Sequence, residues 1–298
     1  MKILITGASG FLGKEIVERL KGCEVFTIGR KESDIICDLS NSIPKDIPII
    51  DIVIHAAGIA HITPVSISEN QMFFDVNYGG TVNLFKSLNN LSVLPKYFVF
   101  VSSVAVYGIN EGHNVNEMAS LKAKDPYGKS KLETEIIVMN WCFKNNVICT
   151  ILRLPLLVGA NAPGNLGSMI NAIRNNYYFN ISDGTARKSM VLTSDVARYI
   201  LKAAEVGGTY NLTDGYHPNF NELSHCIAKQ ISINYVPNMS LFFAKILAFI
   251  GDMVGRKFPI NSDKLHKITS TLTFDDSKAR KAFGWNPKRV LNGFKINN

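Results

Sequence analysis

Two side chains in this sequence are spaced for proton transfer. Tyr127 and Lys131 stand four residues apart in Asp125-Pro126-Tyr127-Gly128-Lys129-Ser130-Lys131, so on a helix they share one face. A free phenol titrates at about pH 10, too high for a base near neutrality, and an ammonium beside it favours the phenolate. Lys131 supplies that charge. A second run, Val99-Phe100-Val101-Ser102-Ser103, ends an apolar stretch in two hydroxyls able to hydrogen-bond a substrate oxygen. A tyrosine and a lysine four apart occur on many exposed helices; the pair gains meaning from the serines and from a glycine loop.

That loop is Thr6-Gly7-Ala8-Ser9-Gly10-Phe11-Leu12-Gly13, three glycines at three-residue spacing between an apolar run and an amphipathic one. A dinucleotide site needs this chemistry. One glycine allows the tight turn, one lets backbone approach the pyrophosphate, and one lets helix pack on strand, with the helix N-terminus facing the phosphates. Gly7, Ser9, Gly10, Phe11, Leu12 and Gly13 are therefore expected at the cofactor. After the second apolar run comes Gly29-Arg30-Lys31, with no carboxylate for a ribose 2′-hydroxyl. Arg30 offers a planar fork suited to a 2′-phosphate, which favours NADP(H) over NAD(H). The alternative is two solvated loop cations with Glu32 on the ribose. Asp38 is placed to accept from the adenine amino group while Leu39 packs on the ring, and small Ala56 and Ala57 let backbone approach the adenosine ribose. His55 reads as a packed core histidine.

These groups must be positioned by alternating short apolar and longer amphipathic segments, the pattern of βαβ units. Strands are expected at Lys2–Thr6, Glu24–Ile28, Ile35–Cys37, Ile52–Ala56, Tyr97–Ser102 and Val147–Leu154, and helices at Leu12–Lys21, Ser68–Leu91 and Tyr127–Asn145. A doubly wound parallel sheet follows. Beyond Pro155 the run Gly159–Gly167 reads as a long loop, then a helix at Ser194–Glu205 and a strand at Thr209–Leu212 rejoin the sheet. The division expected is a dinucleotide-binding domain over residues 1–155 plus about 186–215, and a smaller, mainly helical substrate lobe over about 156–185 plus 216–298.

The 298 residues suffice for about two folding units, and 46% hydrophobic with 19% charged residues is an ordinary globular composition. A net charge of +8 favours anionic partners. No basic stripe interleaved with aromatics suggests nucleic acid. Five cysteines without a C-x-x-C pair suggest neither a disulfide framework nor a zinc ribbon, and a reducing, cytoplasmic setting without export signal is expected. No metal is implied. The greasiest stretch, Leu241–Ile250, is broken by Lys245 and is half a membrane span in length, so it reads as a buried or interface helix, with peripheral membrane contact the lesser alternative.

Taken together, T-G-x-x-G-x-x-G at Thr6–Gly13, S-S-x-x-V-Y-G at Ser102–Gly108, P-Y-G-K-S-K at Pro126–Lys131, R-x-P-x-x-V-G at Arg153–Gly159, R-K-S-M-V at Arg187–Val191 and F-G-W at Phe283–Trp285 resemble the extended short-chain dehydrogenase/reductases of the NAD-dependent epimerase/dehydratase family, which act on sugar nucleotides. The motifs run through nearly the whole chain in the family's order. The resemblance implies a Rossmann sheet, hydride transfer between nicotinamide and a sugar carbon, and Tyr127 as the acid/base. It implies Ser103, rather than Ser102, as the catalytic hydroxyl, Asn77 as a supporting asparagine, Lys131 also at the nicotinamide ribose and Pro155 at the cofactor. Arg187 matches a position that meets the substrate diphosphate, Asn165 one that meets the diphosphate or the sugar, Arg256 is a further candidate for the substrate, and a homodimer through the two long helices is expected.

Departures narrow the reaction. Related sugar dehydratases carry Thr-Asp-Glu where this chain has Ser103, Val104 and Ala105, and neither aliphatic side chain can move a proton for water elimination. Relatives resembling GDP-fucose synthase place a cysteine at Ala105. What remains is NADPH-dependent reduction of the 4-keto group of a UDP-linked deoxy sugar, as in bacterial surface polysaccharide biosynthesis, with an NAD-dependent 4-epimerase as the alternative. A non-enzymatic NAD(P) sensor or nucleic-acid-binding relative is a third reading, opposed by the intact Ser103, Tyr127 and Lys131.

Overall fold

In the computed structural model, which describes residues 1–60, 66–255, 258 and 260–296, seven parallel strands form one sheet. They are β1 (Lys2–Thr6), β2 (Glu24–Gly29), β3 (Ile35–Ile36), β4 (Ile52–His55), β5 (Tyr97–Ser103), β6 (Ile148–Leu154) and β7 (Gly208–Asn211). Their order is β7-β6-β5-β4-β1-β2-β3. The direction of winding therefore reverses between β1 and β4, and the crevice beyond their carboxyl ends is where such sheets bind ligands. Thr6 pairs with His55, His55 with Phe100, and Ser103 with Leu154.

The α-helices of the described residues are α1 (Phe11–Arg19), α2 (Ile67–Phe73), α3 (Gly80–Leu88), α4 (Pro126–Lys144), α5 (Gly164–Arg174), α6 (Thr193–Val206), α7 (Phe220–Gln230), α8 (Leu241–Val254), α9 (Ser262–Thr269), α10 (Ser277–Phe283) and α11 (Val290–Gly293). Alternate residues of a strand face opposite sides, which gives the sheet two cores. On one side Ile3, Ile5 and Ile54 pack with Ile16 of α1 and Ile200 of α6. On the other, Leu4, Val53 and Phe98 pack with Leu84 of α3 and Trp141 of α4. Phe85 and Trp141 stack there at 4.5 Å and 3°.

Two expectations are corrected. The segment read as one helix over Ser68–Leu91 is interrupted: α2 ends at Phe73, a π-helical segment covers Phe74–Gly79, and α3 follows. The run Gly159–Gly167 is not a long loop, because α5 begins at Gly164 behind Pro163. Leu166, Met169, Ile170 and Ile173 give it a buried apolar stripe that the surrounding glycines and asparagines hide in the sequence.

Around this stripe Leu223, Ile227, Val290 and Phe294 build a separate core. Ala279, Phe283 and Trp285, in contrast, return to the core of the sheet. Short strand pairs, Asn180–Ile181 with Asn238–Met239 and Gly112–Val115 with Leu272–Phe274, tie the outlying segments together. No helix among the described residues is long and apolar enough to cross a membrane.

Candidate active site

The amino end of α4 is fixed by its sequence. Asp125 caps it, accepting from the Gly128 amide at 2.9 Å, and Pro126 occupies the first turn, where its missing N–H is harmless. Tyr127 thus sits in the first turn and Lys131 one turn further, opposite the end of β5. After Ser103 the strand turns into a short 3₁₀ segment, Val104–Tyr107, and the Ser103 Oγ accepts from the Ala105 amide at 3.2 Å. The Ser103 hydroxyl faces the Tyr127 phenol and favours its ionised form. Ser102 points to the other side of the strand and donates at 2.5 Å to the buried Glu135. Strand alternation therefore separates the two serines, and Ser103 is the one beside the phenol.

Burial pushes the Tyr127 phenol above its ordinary range, the Ser103 hydroxyl pulls it back, and Asp125 pushes it up again. Lys131 is buried as well, and desolvation draws its ammonium down to about 8 against the pull of Glu135. Its Nζ donates to the Val101 carbonyl at 3.0 Å and lies 4.8 Å from the Phe100 ring centroid. In this arrangement the strand carbonyl and the ring hold the ammonium.

Asn77 lies in the π-helical segment and is buried. Its Oδ1 accepts from the Ile59 amide at 2.9 Å while its Nδ2 donates to Ser130 Oγ at 2.9 Å, and Ser130 in turn donates to the Tyr127 carbonyl at 2.8 Å. The asparagine braces the helix turn that carries the phenol. A Cβ on Gly58 would stand 2.8 Å from Asn77 Oδ1 and 3.1 Å from Lys131 Nζ, so the cluster closes against a bare backbone.

Behind it lies a pair that the sequence reading did not assign. Arg153 Nη2 meets Glu135 Oε2 at 2.7 Å, both side chains are buried, and Arg153 Nη1 donates to the Tyr107 hydroxyl at 3.1 Å. Tyr107 continues to Asn211 Oδ1 at 2.8 Å. The available signal was Arg153 inside an apolar strand, with Glu135 one turn beyond Lys131.

The glycine loop fits a dinucleotide. Gly7 has φ +74°, and a Cβ there would lie 2.6 Å from the Ala57 amide nitrogen; one on Gly13 would lie 2.0 Å from the Gly7 carbonyl oxygen. Gly10 precedes α1 with no side chain capping it, and the first turn holds no acidic residue, so its amides are free for an anion. Ser9 is exposed beside them, Leu12 is buried, and Phe11 packs against Gly159. Ala56 and Ala57 cross to β1, the Ala57 amide donating to Thr6 Oγ1 at 3.1 Å. Pro155 follows β6 directly. Arg30 is exposed at the end of β2. The Asp38 carboxyl is held below its usual range by Ser40, whose hydroxyl donates at 2.7 Å, and by the charge of Arg30; Leu39 beside it is buried. His55 is locked between Thr6 and Thr81 at 2.6 and 2.8 Å, and burial lowers it to about 3, so it is a neutral core group.

On the sugar side, Arg187 donates to the His217 carbonyl at 2.9 Å, lies 3.7 Å from Glu222 and stands over the Tyr216 ring at 5.5 Å. Asn165 is in the first turn of α5. Arg256 lies outside the described residues. Asp195, holding Arg198 and the Lys288 amide at 2.7 Å each, and Arg280, paired with Asp276 at 2.6 Å, are structural. The structure thus joins Ser103, Tyr127, Lys131 and Asn77 in one cluster and carries Arg187 and Asn165 on other segments.

Residues 3–213 match the model of the NAD dependent epimerase/dehydratase family. The chain is 26% identical over 296 residues to N-acetyl-α-D-glucosaminyl-diphospho-ditrans,octacis-undecaprenol 4-epimerase of Escherichia coli O157:H7, covering 93% of this chain and 88% of that protein. It is 24% identical over 314 residues to UDP-glucose 4-epimerase of Vibrio cholerae, covering 98% and 93%. Its fold is that of a UDP-glucose 4-epimerase from Thermotoga maritima solved with UDP-glucose, with a TM-score of 0.76, 20% identity and coverage of 98% and 96%.

Proposed function

From the premise that the chain belongs to the NAD dependent epimerase/dehydratase family, we propose that it inverts C4 of a sugar carried on a diphosphate. The bound dinucleotide supplies a hydride acceptor and donor, held by Gly7, Ser9, Gly10, Phe11, Leu12, Gly13, Asp38, Leu39, Ala56, Ala57, Lys131 and Pro155. Tyr127 takes the proton of the 4-hydroxyl and later returns it, while Ser103 hydrogen-bonds the same oxygen. Asn77 and Lys131 hold the turn and the ribose side of the cluster. Arg187, Asn165 and Arg256 meet the diphosphate, whose carrier is a nucleoside or a polyprenol, as the names of the Vibrio cholerae and Escherichia coli relatives suggest. Residues 1–155 with 186–215 hold the cofactor, and 156–185 with 216–298 hold the sugar.

The observation that carries the reading is the lone acid/base. Beside Ser103 stand Val104 and Ala105, so the cluster can move one proton, which suffices for passage through a ketone and not for dehydration. The 4-epimerase names of relatives spanning nearly the whole chain favour epimerisation over the ketosugar reduction expected from sequence. An epimerase keeps its cofactor, which agrees with NAD(H), and the nearby Asp38 already shares the charge of Arg30. A second reading, NADPH-dependent 4-keto reduction, is favoured by Arg30 alone, exposed where a 2′-phosphate would be met. Incubating the purified protein with UDP-glucose or UDP-N-acetylglucosamine, without added cofactor, should yield the C4 epimer. Stoichiometric NADPH consumption with a UDP-4-keto-6-deoxy-N-acetylhexosamine, and no epimer from either sugar, would overturn the epimerase in favour of the reductase.

The homodimer belongs to the same proposal. Ile136, Met139 and Phe143 line one exposed face of α4, the last 88% exposed, as a helix-paired interface requires.

A further inference from the structure

The end of β5 has a strand on one side only. Its ladder with β4 stops at His55, opposite Phe100, whereas β6 runs on beside it as far as Leu154, opposite Ser103. Val101, Ser102 and Ser103 therefore lack a second strand, although the Val101 carbonyl holds Lys131 and Ser103 faces the Tyr127 phenol. Something else must fix them. Tyr127, Lys131 and Glu135 follow at four-residue spacing along α4, so Glu135 lies one turn further on along the same side of the helix. Its carboxylate grips a cross-strand pair: Ser102 and Arg153 stand opposite one another in the ladder, and both donate to it, Ser102 Oγ at 2.5 Å and Arg153 Nη2 at 2.7 Å.

The same arginine reaches past Ser103. Its Nη1 donates to the Tyr107 hydroxyl at 3.1 Å, and Tyr107 closes the 3₁₀ segment that begins directly after Ser103. Ser103 thus belongs to a stretch, Ser102 to Tyr107, that is tied at both ends to one buried ion pair. Val101, on the other side of Ser102, presents the carbonyl that accepts from Lys131 Nζ at 3.0 Å. Ser102 points away from the phenol, so the tie grips the strand from behind without entering the site. A buried ion pair adds little net stability over apolar residues of the same size, which favours position rather than stability as its use. The charge of Glu135 also supports the Lys131 ammonium against desolvation.

We propose that Glu135 and Arg153 are positioning residues of the acid/base cluster, which through Ser102 and Tyr107 fix the Ser103 hydroxyl against the Tyr127 phenol and the Val101 carbonyl against Lys131. Both are buried, so they act through these neighbours. The proposal deepens the function given above, since it rests on Tyr127 as the acid/base.

Ser102→Ala cuts one tie and leaves the Glu135 carboxylate bonded to Arg153 Nε and Nη2, so the fold is kept. With UDP-glucose or UDP-N-acetylglucosamine, kcat should fall by about tenfold and KM should stay, the mark of lost alignment rather than lost binding. In protein labelled at the tyrosine Cζ, the NMR resonance of Tyr127, identified by its disappearance in Tyr127→Phe, should move in Ser102→Ala without any substrate present. Ser102→Thr retains the hydroxyl and should restore both readouts. Tyr107→Phe cuts the other tie and should also move the resonance, with a fall in kcat of about threefold. A Tyr127 resonance that neither Ser102→Ala nor Tyr107→Phe moves, an unchanged kcat in the active enzyme, or effects that Ser102→Thr does not restore would overturn the proposal. The resonance is read on the protein alone, so positioning can stand if neither sugar is turned over, and the epimerase can stand if the resonance does not move.

Discussion

Arg153 Nη2 and Glu135 Oε2 meet at 2.7 Å inside the molecule, directly behind the lysine of the acid/base cluster. Ser102 and the Arg153 Nε also bond the carboxylate, so its lone pairs are filled. A buried pair of this kind is a poor source of net stability, but removing one partner strands the other charge. Glu135→Ala should therefore cost about 3–5 kcal/mol in denaturant unfolding, whereas the double variant Glu135→Leu with Arg153→Met should recover most of that loss. A Glu135→Ala variant as stable as its parent would show that the pair is solvated.

Tyr127→Phe keeps the ring, which packs on Phe73 at 6.0 Å, and deletes the hydroxyl that faces Ser103. Turnover should fall by roughly 10²–10⁴-fold with dinucleotide affinity kept. Retained turnover in this variant removes Tyr127 from the role of acid/base.

Gly58→Ala probes the closed side of the cluster. The new methyl would lie 3.1 Å from the Lys131 ammonium and 2.8 Å from Asn77 Oδ1, and the side chains must give way. We expect kcat to drop by at least about tenfold, equivalent to about 1.4 kcal/mol in the barrier. Unchanged kcat would mean that the position of Lys131 is not used in the reaction.

His55 sets a pH dependence of stability. Its folded value of about 3 lies below the ordinary 6.5, so between these limits the unfolded chain binds the extra proton. The stability is present in full above pH 6.5 and is lost as pH falls toward 3, by about 1.4 kcal/mol per pH unit from this group. His55→Gln should be less stable at neutrality but lose about 2 kcal/mol less than the parent between pH 6.5 and 5, by urea unfolding. Parallel losses in the two proteins would assign the acid sensitivity to other groups.

Much of this molecule was readable from its sequence because each strand of the sheet is a short apolar run and because Gly7, Gly10 and Gly13 have a spacing that only a few structures need. Tyr127 and Lys131 were readable for the same reason, since four residues make one helical face. Buried charge was not. Glu135 looks like any helix-surface acid until Arg153 of the neighbouring strand is seen to face it. The direction of the Lys131 ammonium was equally hidden, because the Val101 carbonyl that holds it belongs to a segment thirty residues away. In α8, composition announced an apolar helix but not which side would be covered, since that depended on Gly251 meeting the Ile260 backbone.

The π-helical segment Phe74–Gly79 has a consequence for how this site can vary. A π turn holds a residue more than an α turn, so α2 and α3 are out of phase although the chain between them never leaves a helical path. Asn77 reaches Ser130, and Thr81, in the same stretch, reaches His55, because of that offset. Shortening the segment by one residue would swing one half about the helix axis by roughly 100° relative to the other. The segment acts as a phase shifter: it sets the turn of α2, whose buried Phe73 packs on Tyr127, relative to α3, whose Leu84, Phe85 and Leu88 are locked to the sheet.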